Sequence, residues 1–217
     1  MKVKWYGHAA FKLTTAKGVR IILDPYEPGF GGALTYGTIT DEADLVLTSH
    51  DHGDHSYVRD IKGKFTRIEK EGSYDEAGVK IRAIPCFHDP SKGKERGNNL
   101  IFVIEADGVK VAHVGDLGHV LDPGTLQKIG PVDLLLLPVG GFYTIDAKEA
   151  TEVMHAIKPR LTIPMHYRTE KCGFPITTVD DFTKGKKEVK VLNASELEVT
   201  SETLPKDAEI VVLKHAL

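Results

Sequence analysis

The sequence predicts an α+β chain in which two β-sheets pack face to face with helices on the outside. Three observations predict it. Strand patterns crowd the first quarter and return near residue 97. Helical patterns are short and lie between strands. A stretch of the second half also repeats a stretch of the first. Gly97 through Val111 can be laid over Gly7 through Ile21 without a gap, matching Gly97 to Gly7, Ile101 to Phe11, Val103 to Leu13, Gly108 to Gly18, Val109 to Val19, Lys110 to Arg20 and Val111 to Ile21. Both copies read as β-hairpins, turning at Lys17-Gly18 and at Asp107-Gly108. Any two hairpins share some pattern, but the agreement of glycines with apolar positions favours a true repeat. Two copies suggest two similar halves packed sheet on sheet, because a solenoid needs at least three.

Taken in order, residues 2–6, 10–15 and 19–23 alternate or run apolar and read as strands. Residues 25–40 are rich in glycine and proline and form an irregular loop. The apolar run at 44–48 is a buried strand, followed by a short helix near 54–61 and strands at 64–68 and 78–84. A loop at 85–97 carries Pro85, Pro90, Gly93 and Gly97. After the second hairpin come helix 122–128, strand 132–137, helix 146–157, strand 160–164, helix 178–184, and strands 189–193 and 207–213. Helix 146–157 has the best support: Asp146 caps it with Glu149 three residues on, and Ala147, Ala150, Met154 and Ile157 form one apolar stripe.

The 217 residues fit one domain, 1–217, with an ordinary hydrophobic content of 41% and a net charge of −3. A chain of this length buries roughly 70% of its unfolded surface, so a core forms without staples. The densest positive stretch, Lys184-Gly185-Lys186-Lys187, reads as a solvated helix end, and no basic stripe for nucleic acid is present. The N-terminus lacks the apolar core of a signal peptide, and no stretch approaches the ~20 apolar residues of a membrane span. Cys86 and Cys172 form no short-spaced metal pair and suggest a reducing compartment, so a cytoplasmic location is expected.

Chemistry is concentrated in His50-Asp51-His52-Gly53-Asp54-His55. Imidazole nitrogen and carboxylate oxygen are the donors that divalent metals of intermediate softness prefer. The run is no purification tag, since it lies deep in the chain with acids interleaved. It also follows a strand, and strand ends are where α/β sites gather. Extended spacing puts His50 and His52 on one side, while Asp54 and His55 turn away. Six adjacent residues therefore serve two neighbouring ions more naturally than one. The remaining donors must come from elsewhere. His88, Asp116 and His166 each follow an apolar strand, and Gly115 permits a sharp turn before Asp116. A polar residue at one strand end is often merely solvated. Three good ligand types beside the cluster favour function.

This assembly resembles the metallo-β-lactamase-fold hydrolase superfamily over nearly the whole chain. The carrying motifs are H-x-H-x-D-H at 50–55, His88, Gly115-Asp116 and His166, with Trp5-Tyr6-Gly7-His8-Ala9, Leu23-Asp24-Pro25, His113 through His119 and Pro138-Val139-Gly140-Gly141. These last segments look like the branch of small metal-dependent hydrolases related to L-ascorbate-6-phosphate lactonase, whose substrate is not carried over. The resemblance implies an αββα four-layer sandwich with two pseudo-twofold halves. It implies a first metal on His50, His52 and His88, and a second on Asp54, His55 and His166, with Asp116 bridging. Di-iron relatives that do redox chemistry carry an acid where this chain has His52, so hydrolysis is implied. Two divalent ions, zinc first and manganese or iron(II) as alternatives, would activate a hydroxide. Asp54 would hold one ion and orient or accept the proton.

Flanking residues carry weaker expectations. His8 either lines the pocket and binds substrate or packs as an ordinary histidine, and the resemblance favours the pocket. Asp24 either hydrogen-bonds a ligand histidine from outside or only starts an Asp-Pro turn. His119 faces either pocket or solvent, and His113 reads as a core residue. Arg168, like Lys92, Lys94, Arg96 and Lys171, is either an anion-binding side chain or a solvated loop charge. Cys86 reads as a small buried hydrophobe. The expected partner is a small-molecule ester, lactone or phosphoester, with no nucleic acid and no membrane, and a homo-oligomer is left open. Two other readings stand: a nucleic-acid phosphodiesterase, which a salt-sensitive RNA shift would support, and a non-catalytic metal-binding module, which a closed coordination sphere would support.

Overall fold

The structure, a computed structural model, describes residues 1–217. Its elements in chain order are β1 (Lys2–Gly7), β2 (Ala10–Thr14), β3 (Arg20–Leu23), β4 (Leu45–Leu47), β5 (Thr66–Ile68), β6 (Gly72–Glu76), β7 (Val79–Phe87), β8 (Asn98–Ala106) and β9 (Val109–His113). There follow α1 (Pro123–Ile129), β10 (Leu134–Pro138), α2 (Ala147–Ile157), β11 (Leu161–Met165), α3 (Val179–Thr183), β12 (Val189–Val191), β13 (Glu196–Glu198) and β14 (Glu209–Val212). One sheet has the order β13-β1-β2-β3-β4-β5, the other β12-β14-β11-β10-β9-β8-β7-β6.

The two halves share one pairing pattern. β1·β2 and β2·β3 are antiparallel, then β3·β4 and β4·β5 parallel. In the second half β7·β8 and β8·β9 are antiparallel, then β9·β10 and β10·β11 parallel. The repeated hairpins of the sequence are β2–β3 and β8–β9. Their registers differ by one residue: Leu13 faces Ile21, whereas Val111 faces Ile104 rather than Val103. The wider first turn, closed by Thr15 N–H on Val19 O, accounts for the step, since the second turn has only Asp107-Gly108 between paired residues.

The main core lies between the sheets. Trp5, Phe11, Leu13, Ile21, Leu23, Leu45 and Leu47 meet Ile81, Phe102, Ile104 and Val111 there, all essentially sealed from solvent. The middle parallel strands β4 and β10 are buried along their whole length, which is why their sequences run apolar without alternation. Helices α1 and α2 lie against β7 and β10, and α3 against α2. On the first half the outer layer is made by loop. Tyr26, Leu34, Tyr36 and Ile39 from the segment after β3 cover Tyr6, Ala10, Ile22 and Val46, with one 3-10 turn at Phe30–Gly32.

One expectation needs correction, and two strands appear where none was expected. No helix forms at 54–61. His55 N–H turns back to His52 O, and Tyr57 N–H goes to Pro25 O, so the backbone follows the long loop instead of bonding to itself at helical spacing. Strands β6 and β13 were not expected. β6 is mostly exposed and forms by pairing with β7, while β13 is a short edge strand on β1. Both owe their conformation to a neighbour, not to an apolar pattern of their own. No helix of the structure is long and apolar enough to cross a membrane.

Topology sets the site. Two antiparallel steps make β1 run with β3 and β7 run with β9. The C-terminal ends of β1, β3 and β4 therefore open on one edge of the first sheet, and those of β7, β9, β10 and β11 on one edge of the second. His8, Asp24 and the 50–55 run leave the first edge, while His88, Asp116 and His166 leave the second.

Candidate metal centre

Three overlapping groups of donors meet at these edges. His50, His52 and His88 form one, with ring centroids 4.6, 4.8 and 5.3 Å apart. His8, Asp54, His55 and His166 form a second, and His50, His55 and Asp116 a third that joins the two. Asp116 sits between them. Its Oδ1 is 3.2 Å from His55 Nε2, and its Oδ2 is 3.3 Å from both His88 Nε2 and His166 Nε2. The structure thus brings together all seven residues expected as ligands, and adds His8.

Atoms inside this centre fit cations. His50 Nε2, His55 Nε2, both ring nitrogens of His166 and Asp116 Oδ1 are buried without a hydrogen-bond partner. Each such orphan costs about 1–3 kcal/mol in a sealed protein. Several lone pairs converging on shared space are what divalent ions require.

A fixed frame aims the ligands. Asp24, wholly buried after β3, accepts from Ser49 N at 2.7 Å, Ser49 Oγ at 2.6 Å, His55 Nδ1 at 3.0 Å and His113 Nε2 at 3.0 Å. Ser49 Oγ gives its only proton to Asp24, so His50 Nδ1, 3.0 Å away, must donate to it. That assignment leaves the Nε2 lone pair of His50 facing the centre. His55 Nδ1 likewise donates to Asp24 and turns Nε2 inward. On the second edge, Asn99 accepts from Asp116 N at 3.1 Å and donates to Val114 O at 2.9 Å. Gly115, at φ 54°, has no space for a side chain: a Cβ there would lie 2.4 Å from Asn99 Oδ1 and 2.6 Å from Ser49 Cβ. The Asp89 carboxylate accepts from the backbone N–H groups of Gly93, Glu95 and Arg96, which orders the loop behind His88.

Strain collects here. His8, Asp24 and His166 have φ of 51°, 42° and 50°, a left-handed conformation costing about 1–3 kcal/mol each for residues with side chains. Charge is equally organised. Burial pushes the imidazolium of His8 down to about 4, with His166 adding to the effect, and that of His50 down to about 3. Burial also opposes a proton on His55, but Asp116 and Asp54 outweigh it and raise its pKa well above the usual histidine range. Burial would raise the carboxyls of Asp24, Asp54 and Asp116, yet the surrounding histidines hold all three well below the usual carboxylate range.

Other expected residues lie elsewhere. His119 accepts from Phe87 N at 3.3 Å and bonds Val120 O at 2.9 Å, and joins none of the donor groups. Arg168 is exposed, its backbone N–H held by Thr177 O. Cys86 is buried against Asn99 Nδ2 at 3.0 Å, its thiol pushed up to about 12 by burial. Sequence reasoning did not single out Ser49 or Asn99, and placed His113 in the core without its partner. Only contact in three dimensions links them to the ligands. A run of aromatic rings leads outward from the second group: Phe174 lies 5.7 Å from His8, Tyr143 5.6 Å from Phe174 and Phe142 4.7 Å from Tyr143, with Arg96 5.9 Å over the Tyr143 ring.

Comparison with known proteins agrees with this architecture. Residues 2–166 match the model of the β-lactamase superfamily domain. A UPF0173 metal-dependent hydrolase of Thermococcus onnurineus is 37% identical, over 78% of this chain and 85% of its own length. A UPF0173 metal-dependent hydrolase of Carboxydothermus hydrogenoformans is 32% identical, over 92% of this chain and 100% of its own. A crystal structure from Thermotoga maritima, described as a candidate Zn-dependent hydrolase of the metallo-β-lactamase superfamily, superposes with a TM-score of 0.82 at 39% identity, covering 98% of this chain and 97% of that one. With that fold, those relatives and a buried His/Asp centre in place, the chain belongs to the β-lactamase superfamily and is one of its metal-dependent hydrolases.

Proposed function

We propose that this hydrolase works with two divalent ions on a small-molecule ester, lactone or phosphoester in the cytoplasm. The observation that carries the reading is Asp116, whose two oxygens reach histidines of both donor groups. A carboxylate so placed can be shared by a pair of ions. Imidazole and carboxylate donors without a thiolate suit zinc first, with manganese or iron(II) as alternatives. When bound, such ions lower the pKa of a water and polarise a carbonyl or phosphoryl oxygen.

The chain's own residues have separate tasks. His50, His52 and His88 would hold the first ion, and Asp54, His55 and His166 the second. Asp24 and Ser49 keep His50 and His55 in the tautomer that points Nε2 inward. Asp54 would hold the second ion and orient the attacking water or accept its proton; its Oδ2 lies 3.3 Å from His8 Nε2 and 3.8 Å from His55 Nε2. The buried strand ends beneath exclude bulk water from below. Net charge −3 and the absence of a basic stripe support a small substrate over a nucleic acid. Two unpaired, buried cysteines support a reducing compartment.

The test is metal quantification on protein purified without chelator, then a panel of lactones, thioesters and phosphodiesters with added zinc or manganese. Two equivalents of metal, and activity lost in His50→Ala, are expected. Less than one equivalent of tightly held metal, with activity intact in His50→Ala, overturns the proposal.

A further inference from the structure

We propose that His8 is itself a metal ligand, making the second ion's site richer by one histidine than Asp54, His55 and His166 alone would make it. This rests on the two-ion reading above. His8 comes from the turn between β1 and β2, far in sequence from every other donor. Its Nε2 is 3.3 Å from Asp54 Oδ2, and its ring centroid is 4.2 Å from that of His166 and 5.0 Å from that of His55. One donor atom from each of these four side chains fits within 4.8 Å of the others.

The ring is 0% exposed, with Nε2 against Asp54 and no partner on Nδ1. His113 is buried in the same way, but it meets only Asp24, whereas His8 converges with three other donors, Asp54, His55 and His166. The His8 ring is also too enclosed to touch substrate directly, since Phe174 lies edge-on against it and no part of it reaches solvent.

The backbone is built to hold the ring there. His8 O receives Trp5 Nε1 at 3.0 Å and His166 N at 3.1 Å, so the residue is fastened directly to another ligand. The left-handed φ of 51° is retained despite a side chain that disfavours it. Gly7 before it is required: a Cβ at that position would sit 2.5 Å from the Tyr36 ring.

The two sites consequently differ. His50 and His52 of the first group are only partly buried, whereas all four side chains of the second group are buried. A cavity of about 820 Å³ reaches His50 but none of the other donors, so it lies beside the centre and not over it. His8, Asp54, His55 and His166 with a share of Asp116 resemble a closed, tightly held site. The buried second group would then hold its ion more tightly than the more exposed first group holds its own.

The experiment uses the full chain as wild type, His8→Asn and His8→Asp. Asparagine and aspartate tolerate a left-handed backbone, so neither adds strain at position 8. Zinc binding is measured in chelator-buffered solutions, and the absorption spectrum of the cobalt(II)-loaded protein is recorded at one and two equivalents. Far-UV circular dichroism checks folding. His8→Asn should bind one ion as the wild type does and the other at least ~10-fold more weakly, the lower bound set by partners that only orient a ligand. The cobalt spectrum of the affected equivalent should change, and His8→Asp should recover part of the lost affinity. If His8→Asn binds both ions with wild-type affinity and an unchanged cobalt spectrum, His8 is not a ligand, whatever happens to turnover. If the wild type itself fails to bind two ions, the two-ion function fails first and is identified as the failure by that sample alone.

Discussion

Replacing Asp24 by asparagine tests the frame beneath the metal centre. The amide has nearly the carboxylate's shape and tolerates the left-handed backbone at φ 42°, so strain is not the variable. What changes is hydrogen bonding. In the better orientation, the amide oxygen takes the place of Oδ2 and still faces Ser49 Oγ, His55 Nδ1 and His113 Nε2. The NH2 group then confronts Ser49 N–H, leaving a buried donor unpaired at a cost of about 1–3 kcal/mol. The other three bonds lose their charge assistance, about 1 kcal/mol each. These contributions share atoms and do not simply add, so a net loss of at least ~3 kcal/mol is expected. For a chain of this size that lowers the thermal midpoint by about 6–12 °C. Because Asp24 also orients His55, metal affinity should fall about 10–100-fold. Thermal unfolding and chelator competition read the two effects separately. A variant that unfolds within ~2 °C of wild type and binds metal equally well would refute the idea that Asp24 organises the centre.

Two further outcomes follow from the geometry. In Gly118→Ala the new Cβ would lie 2.2 Å from the carbonyl carbon of His88 and 2.3 Å from Asp89 N, so the His88 loop must move. Metal analysis should find the first ion weakened, with stability reduced by about 1–3 kcal/mol; retention of both ions at wild-type affinity contradicts this. The metal-free protein should lose stability on mild acidification. His8 and His50 have folded-state pKa values lowered to about 4 and about 3 from 6.5, so the unfolded chain binds protons first as pH falls below 6.5. Their penalty is absent above pH 6.5, grows as pH falls through that value, and levels off near the folded values, reaching ~3 kcal/mol for His8 alone. His55 runs oppositely, adding stability below pH 6.5 that is lost as pH rises through its raised folded value. Denaturant melts of chelator-treated protein between pH 7 and 4 should show the decline, and a flat or rising profile contradicts it.

The fold was legible where local pattern and global packing agree. The repeat between Gly7–Ile21 and Gly97–Val111 pointed to two similar sheets, and the buried runs at 44–48 and 132–137 are buried parallel strands. It was not legible where a segment's conformation is imposed from outside. β6 and β13 exist because a neighbouring strand offers hydrogen bonds, and the 54–61 segment is held by Pro25 O and His52 O. A histidine-rich loop spends its backbone conformation on aiming side chains, which suppresses the helix that its polarity pattern suggested.

The site shows a similar division, and His8 is its sharpest case. Ligand types at strand ends could be counted from the sequence, because C-terminal strand edges expose side chains in predictable places. Nothing in the pattern of Trp5-Tyr6-Gly7-His8 states that Trp5 fastens the His8 carbonyl, or that His166 does so from the edge of the other sheet. Asp24 was equally ambiguous, since Asp-Pro is a common turn opening, and only the positions of Ser49, His55 and His113 turn it into a four-bond acceptor. Donor atoms belong to residues and can be read one at a time. The frame that aims them belongs to pairs brought together by folding, here between β1 and β11 and between β3 and β9. The inward-facing lone pairs therefore depend on residues outside the histidine cluster, which is why Asp24→Asn and His8→Asn, and not only changes within the cluster, are the informative substitutions.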